Sequence, residues 1–230
     1  MSGQDASRLH SCHTEESEMR PQNKLCLSLL ATLSLVAGTA PSATAAEEGS
    51  PAPWPPADTD GEYLPVPDEY YEPIAFPACG TSVTMTSGDV QDVHYKSRVK
   101  RDGSTVVKFR GSGTVDLTAD PGGDLPDGGF IDELDVSGPG SQRISADKSV
   151  VVEVLEGPSI VYPVSATDSA ALDRGGFPEL FSFDDGKLKI ETSLSEDENA
   201  AEPDSVEIVR DTTRGVVDLC QVLEDSTDHS

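Results

Sequence analysis

Four sets of residues in this 230-residue chain carry groups that could do chemistry: one histidine in its strand-like part, 42 acids, two late cysteines and a run of cations. His94 is the only histidine between residues 78 and 224. It lies in "VHYKSRVK", where polar and apolar residues alternate, so it shares an outer face with Lys96 and Arg98. No G-x-S-x-G nucleophile elbow occurs; "GSG" at 111–113 and "GPGS" at 138–141 read as turns. A Ser-His-Asp triad therefore lacks its parts. Zinc fares no better, because one histidine and a cysteine pair leave a tetrahedral shell incomplete.

The carboxylates suit two other chemistries. Asp120, Asp124, Asp127 and Asp132, with Glu133 and Asp135, crowd the Gly/Pro-rich stretch "ADPGGDLPDGGFIDELD". Hard oxygen ligands on a bent loop are what Ca²⁺ requires, so these residues form the candidate calcium set, although the EF-hand spacing is absent. Calcium is the only cofactor the sequence suggests. Paired carboxylates would also serve glycoside hydrolysis. With acids this abundant, close pairs arise by chance, and no cluster of aromatic residues frames one pair. A second acidic run, Glu196-Asp197-Glu198-Asn199, reads as a solvated loop.

The cations stand out more. Lys96, Arg98, Lys100, Arg101, Lys108 and Arg110 fall within 15 positions of a chain whose net charge is −26. Strand alternation and the Asp102-Gly103 pair make this a hairpin. A two-residue loop would pair Lys96 with Phe109 and mix the faces. A three-residue loop, Arg101-Asp102-Gly103 with glycine in the left-handed position, pairs Tyr95 with Phe109 and Ser97 with Val107. That register sets Lys96 opposite Lys108 and His94 opposite Arg110, and like charges facing each other destabilise a sheet. Two solutions stay open: acids of this chain lie against the strip, or an external anion or acidic partner does. Lys96, Arg98, Lys100, Lys108 and Arg110 are accordingly the candidate anion- or partner-binding residues.

The remaining elements must hold these groups. "LCLSLLATLSLVAGTA" (25–40) is an apolar run of 16 residues after Arg20 and Lys24, followed by the small-x-small site Ala43-Thr44-Ala45. That order defines a secretory signal peptide, 1–45, and implies a Sec-type export route. The run is short of the ~20 residues that span a bilayer, so no membrane span is expected in the mature form. Residues 1–18 make a poor n-region and Met19 a better start. Cys79 and Cys220 then remain in an exported chain and are read as one disulfide across the domain. The strongly acidic balance repels phosphate backbones and excludes nucleic acid as a partner.

Residues 46–77 hold eight prolines and eight acids with no base, which reads as an extended acidic linker carrying Trp54, Tyr63, Tyr70 and Tyr71. From residue 78 to 224 the period is two. About ten short strands separated by Gly, Pro and Asp predict an all-β domain, a single β-sandwich (Ig-like or related) or a barrel. Asp185-Gly186 is expected to close a two-residue hairpin joining 181–183 to 187–190. Segment 217–223 reads as a last strand or a helical turn, and 225–230 as a polar tail. "PACGTSV" (77–83), the Asp102-Gly103 hairpin, "VSGPG" (136–140) and "VVDLCQVL" (216–223) resemble a group of small exported actinobacterial proteins with a two-cysteine β-rich domain. The resemblance implies architecture and export, and assigns no activity. The expectation is a secreted or cell-wall-associated, non-enzymatic module that binds an envelope or secreted partner. The alternatives are an extracellular hydrolase and a calcium-binding structural domain.

Overall fold

A computed structural model of the chain describes residues 58–123, 125, 127–195, 200 and 202–227. The signal-peptide reading, the first part of the proline-rich segment, Asp124 and the acidic run 196–199 lie outside the described residues. Two antiparallel sheets make up most of the rest. Strand β1 (Leu64–Pro65) and β2 (Ile74–Ala78) both pair with β3 (Thr81–Val99), which pairs with β4 (Thr105–Ala119). The far edge of β4 takes β5 (Gly129–Asp135) on its second half and β6 (Gly140–Ile144) on its first. β7 (Val150–Glu156), β10 (Lys187–Ser193) and β11 (Ser205–Asp211) extend the sheet beyond β6. The second sheet has three strands, in the order β12 (Val217–Asp218), β9 (Phe181–Phe183) and β8 (Ser159–Val161). Two helices, α1 (Ala166–Gly175) and α2 (Leu219–Thr227), complete the chain.

The expected all-β class is what folds, with a core between unequal sheets. One cluster joins Phe76, Val83 and Leu117 of the large sheet to Ile160, Leu180, Leu219 and Leu223. A second joins Leu155, Leu188 and Ile190 to Val161, Phe181 and Phe183, with Ala171 and Leu172 of α1 beside them. The β3–β4 ladder slips between Ser87 and Gln91, so "GSG" at 111–113 is not a turn but lies within β4. Gly111 has φ 125, and a Cβ there would sit 1.9 Å from the carbonyl oxygen of Asp92. A slip of this kind bends and twists the paired strands. Likewise "GPGS" supplies the start of β6, which the turn reading hid.

Residues 58–77, read above as spacer, contribute β1 and β2 and bury Val66 and Phe76. The prolines are compatible because the segment runs along the edge of β3, where donors need not be paired on both sides. β2 turns into β3 through Cys79 (φ 55) and Gly80 (φ 69), between the paired residues Ala78 and Thr81. Both central residues are left-handed, as a type I′ turn demands. Cys79 is bonded from that turn to Cys220 in α2, 141 positions on.

Two expectations about pairing differ from the structure. β9 and β10 form no hairpin: Phe183 pairs with Ser159, and Leu188 with Leu155. Both edges of β10 are already taken, by β7 and β11. The Asp185-Gly186 corner instead passes the chain from one sheet to the other, with the N–H groups of Asp184 and Asp185 donating to the Arg214 carbonyl. The terminal segment is helical because Asp218 caps it, accepting from the N–H groups of Cys220 at 3.0 Å and Gln221 at 3.4 Å. That helix takes in the start of the stretch read as a polar tail.

Replacing Cys79 and Cys220 together by Ala is expected to lower unfolding free energy by about 2–5 kcal/mol, because the bond closes a long loop. Urea denaturation at fixed pH measures it. Gly111→Ala should cost a comparable amount, about 3 kcal/mol or more, through backbone overlap and positive φ together. Near-native stability of that variant would show that the bend does not depend on residue 111.

Candidate functional site

The three-residue loop forms as the face argument requires. Lys100 N–H donates to the Ser104 carbonyl at 2.7 Å and Gly103 N–H to the Lys100 carbonyl at 3.0 Å, with Gly103 at φ 82. Tyr95 faces Phe109, Lys96 faces Lys108, and His94 faces Arg110. The outer strip is thus assembled with its like charges opposed. The N-terminal segment covers part of it. Tyr63 lies under both Lys96 Nζ, 4.9 Å from its ring centroid, and the Arg110 guanidinium, at 3.7 Å. An aromatic face is attractive to such cations, at roughly 0.5–1 kcal/mol each when exposed. Asp58 reaches the edge of the strand rather than the charges, accepting from Val99 N–H at 3.3 Å.

At the hairpin tip an open groove of about 630 Å³ is lined by Arg98, Lys100, Arg101, Arg143, Asp102 and two valines. Its one acid is already engaged. Ser104 donates to Asp102 Oδ1 from its hydroxyl at 2.6 Å and its N–H at 3.0 Å, and Arg143 meets Oδ2 at 2.8 Å. Those hydroxyl and N–H bonds, with Arg143 adding to them, hold the Asp102 carboxyl below its ordinary range. Arg143 comes from β6, a strand the sequence reading had taken for a turn, so its place in the groove was invisible beforehand.

Among the described residues, the candidate calcium ligands Asp120, Asp127 and Asp132 do not converge with one another. Asp132 converges instead with Asp116 and Glu133, their ligand oxygens within 4.8 Å of one another, while Asp120 and Asp127 stand outside that group. The convergence comes from a slip in the β4–β5 ladder between Val115 and Leu117, where Glu133 takes φ 52 and donates its N–H to Asp116 at 2.9 Å. Desolvation and the neighbouring Asp116, Glu133 and Asp89 carboxylates raise the Asp132 pKa.

Two carboxylates are buried. Glu153 lies in a cross-strand row with Ser97, Val107, Gln142 and Ile190, and accepts from Gln142 Nε2 at 2.9 Å. Burial pushes its pKa up to about 8, the Gln142 bond opposing and the Asp168 charge assisting. Asp168 lies in the first turn of α1, which Ser165 caps: Val164 N–H at 3.2 Å and Ser165 Oγ at 2.8 Å donate to its Oδ2, and burial raises its pKa. Asp168 Oδ1 and Gln142 Oε1 have no hydrogen-bond partner among the described residues. A capping pattern, Ser165 followed three residues later by Asp168 and closed by Gly176 at φ 73, is the sequence signal that would have found α1.

A separate cavity of about 90 Å³ sits inside the bend of the β3–β4 hairpin. Its walls include Tyr70 and Tyr71 of the 3₁₀ turn Asp68–Tyr71, with Met85, Val93, Phe109 and Ile160. Neither Glu153 nor Asp168 lines this cavity or the hairpin groove. No family model, no curated protein and no solved structure matches this chain.

The Glu153 shift fixes a pH dependence. Below the ordinary value of 4.5 the carboxyl is protonated in both folded and unfolded chains. Between 4.5 and about 8 only the folded chain keeps the proton, so stability falls as pH rises and the loss is complete above 8. Glu153→Gln is expected to remove up to about 1.4 kcal/mol per pH unit of that slope, read by urea denaturation at pH 5, 7 and 9. An unchanged slope would place the carboxyl in water.

Proposed function

We propose that this protein is an exported, non-enzymatic binding module of the extracellular space or cell wall, and that the tip of its β3–β4 hairpin holds an anionic cell-wall polymer. The observation that carries this reading is the groove of about 630 Å³ with Arg98, Lys100, Arg101 and Arg143 on its walls, in a chain of net charge −26. Its only carboxylate is occupied by Ser104 and Arg143, which leaves the other three cations facing solvent. Collecting cations at one place on an acidic molecule raises the local concentration of anions there while the remaining surface repels them, which aids selection of the docking point.

Export is supported by the leader-like sequence 1–45, by the resemblance to small exported actinobacterial proteins, and by the Cys79–Cys220 bond, a linkage at home in oxidising compartments. Among the described residues no helix is long and apolar enough to cross a membrane.

Polyglycerol phosphate titrated against the disulfide-bonded chain should bind saturably and weaken with salt. Arg98→Ala, Lys100→Ala and Arg101→Ala combined should lose about tenfold or more, since three exposed ionic contacts of roughly 0.5–1 kcal/mol each are removed. Retained affinity in that triple variant rejects the groove. Capture of an acidic peptide instead of the polymer rejects the ligand class while keeping the site.

A further inference from the structure

The cavity inside the hairpin bend meets the cationic strip only at Arg110: Phe109 faces it from a buried position, while Lys108 is exposed and does not line it. We infer that this cavity is a second binding site, which accepts one uncharged aromatic ring carried by a small molecule. Three observations specify the occupant.

The first is size. About 90 Å³ is far below the ~300–1,000 Å³ of sites that enclose drug-sized ligands. It is also below the ~150 Å³ of an apolar cavity known to take benzene, so a single ring is the most it accepts, and only as the wall formed by Asp68–Tyr71 gives way. The second is the lining. Met85, Val93 and Ile160 offer aliphatic walls, and Tyr70, Tyr71 and Phe109 offer rings, with Tyr70 and Tyr71 edge-to-face at 5.3 Å. Burial first, then the Tyr71 and Glu153 charges, push the Tyr70 hydroxyl up to about 12, so that wall is neutral at any physiological pH.

The third is charge. The charged residues on the lining are Glu69, Glu72 and Arg110, and the Arg110 guanidinium is committed to the Tyr63 ring. Glu69 and Glu72 are exposed, so they oppose an anion at the mouth. A cation would have to shed its water against Met85, Val93 and Ile160, a loss that costs several kcal/mol for an ion. A neutral ring meets neither penalty and gains face and edge contacts.

The segment that closes the cavity is held mainly by its two tyrosines. In the turn Asp68–Tyr71, Asp68 and Glu69 are exposed while Tyr70 and Tyr71 are half-buried against Val66, Val107 and Phe109, and its ties to β3 include Val93 N–H to Tyr71 Oη at 3.1 Å and Ser87 Oγ to the Tyr71 carbonyl at 3.2 Å. Its displacement gives a ring a way in. Gly113 sets the remaining room: a Cβ there would lie 3.4 Å from Val93 Cγ2, ordinary contact, so an added methyl narrows the cavity without forcing the backbone.

The test is a toluene titration of the disulfide-bonded full chain, followed by the methyl NMR signals of Met85 and Ile160. Saturable shifts are expected at both, with none from benzoate or tetramethylammonium at equal concentration. Gly113→Ala should weaken toluene at least about tenfold, equivalent to about 1.4 kcal/mol. Val115→Ile, which adds one methyl to the wall, should do the same if the glycine variant folds poorly. Absence of saturation, equal binding in both filled variants, or equal binding of tetramethylammonium would each overturn the assignment. The polyglycerol phosphate affinity should not change in either filled variant, which separates this site from the groove.

Discussion

A 19-residue strand paired with a 15-residue partner would, if straight, reach about 60 Å and could not bury one face against a core of this size. The bend at Ser87–Gln91 and Gly111 resolves that conflict, and much of the rest follows from it. Below the bend β3 and β4 pair with β2 and β5 and cover the cluster around Leu117 and Tyr162. Above it they pair with β1 and β6, and Val107 and Phe109 turn inward under Tyr70. The cavity occupies the inside of the corner, and the cationic strip the outside of its upper arm. The disulfide fastens the lower arm, tying the Cys79 turn to α2.

The upper arm illustrates why its two faces differ so sharply. Period-two alternation sends Tyr95, Ser97, Val107 and Phe109 to one side and Lys96, Arg98, Lys108 and Arg110 to the other. The inner row continues across the sheet through Gln142 to Glu153, where a carboxyl sits in surroundings suited to a neutral group. A protonated Glu153 has an O–H to donate, and Gln142 Oε1 is a nearby acceptor with no partner among the described residues. The two side chains thus form a buried polar pair within an apolar sheet face.

Face consistency was legible in the sequence; partner choice was not. The loop Arg101-Asp102-Gly103 could be read because a one-residue slip would have exchanged Phe109 with Lys108 between core and water. The same logic correctly put Phe181, Phe183, Leu188 and Ile190 in one core, yet failed on their pairing. Residues on one face can be neighbours along a sheet or opposite one another between two sheets, and alternation cannot tell these apart. Edge segments failed for a different reason. In 58–77 the prolines interrupt the strand signal, leaving short apolar pieces around Val66 and Phe76, and the ordering force comes from the β3 edge, remote in sequence for Thr59, Leu64 and Val66 and close for β2. Arg143 was missed for another reason: the Gly-Pro-Gly text at 138–140 hides the start of β6, although that strand pairs locally with β7 as well as with the more distant β4.

The placement of charge is the last point on which sequence and structure constrain each other. A chain of net charge −26 has no shortage of acids with which to neutralise six cations, and the proline-rich segment runs directly beside them. The structure uses a neutral ring there instead: Tyr63 covers Lys96 and Arg110, while Asp58 turns to a backbone N–H. A ring shields two like charges from water without cancelling them, so the positive field of the strip survives toward the tip. Had the segment's carboxylates paired with the strip, the hairpin would be more stable and electrically silent. Keeping Lys96 opposite Lys108 costs stability within the sheet. The Tyr63 ring offsets part of that cost, and the field that remains emerges into solvent at the groove of Arg98, Lys100 and Arg101.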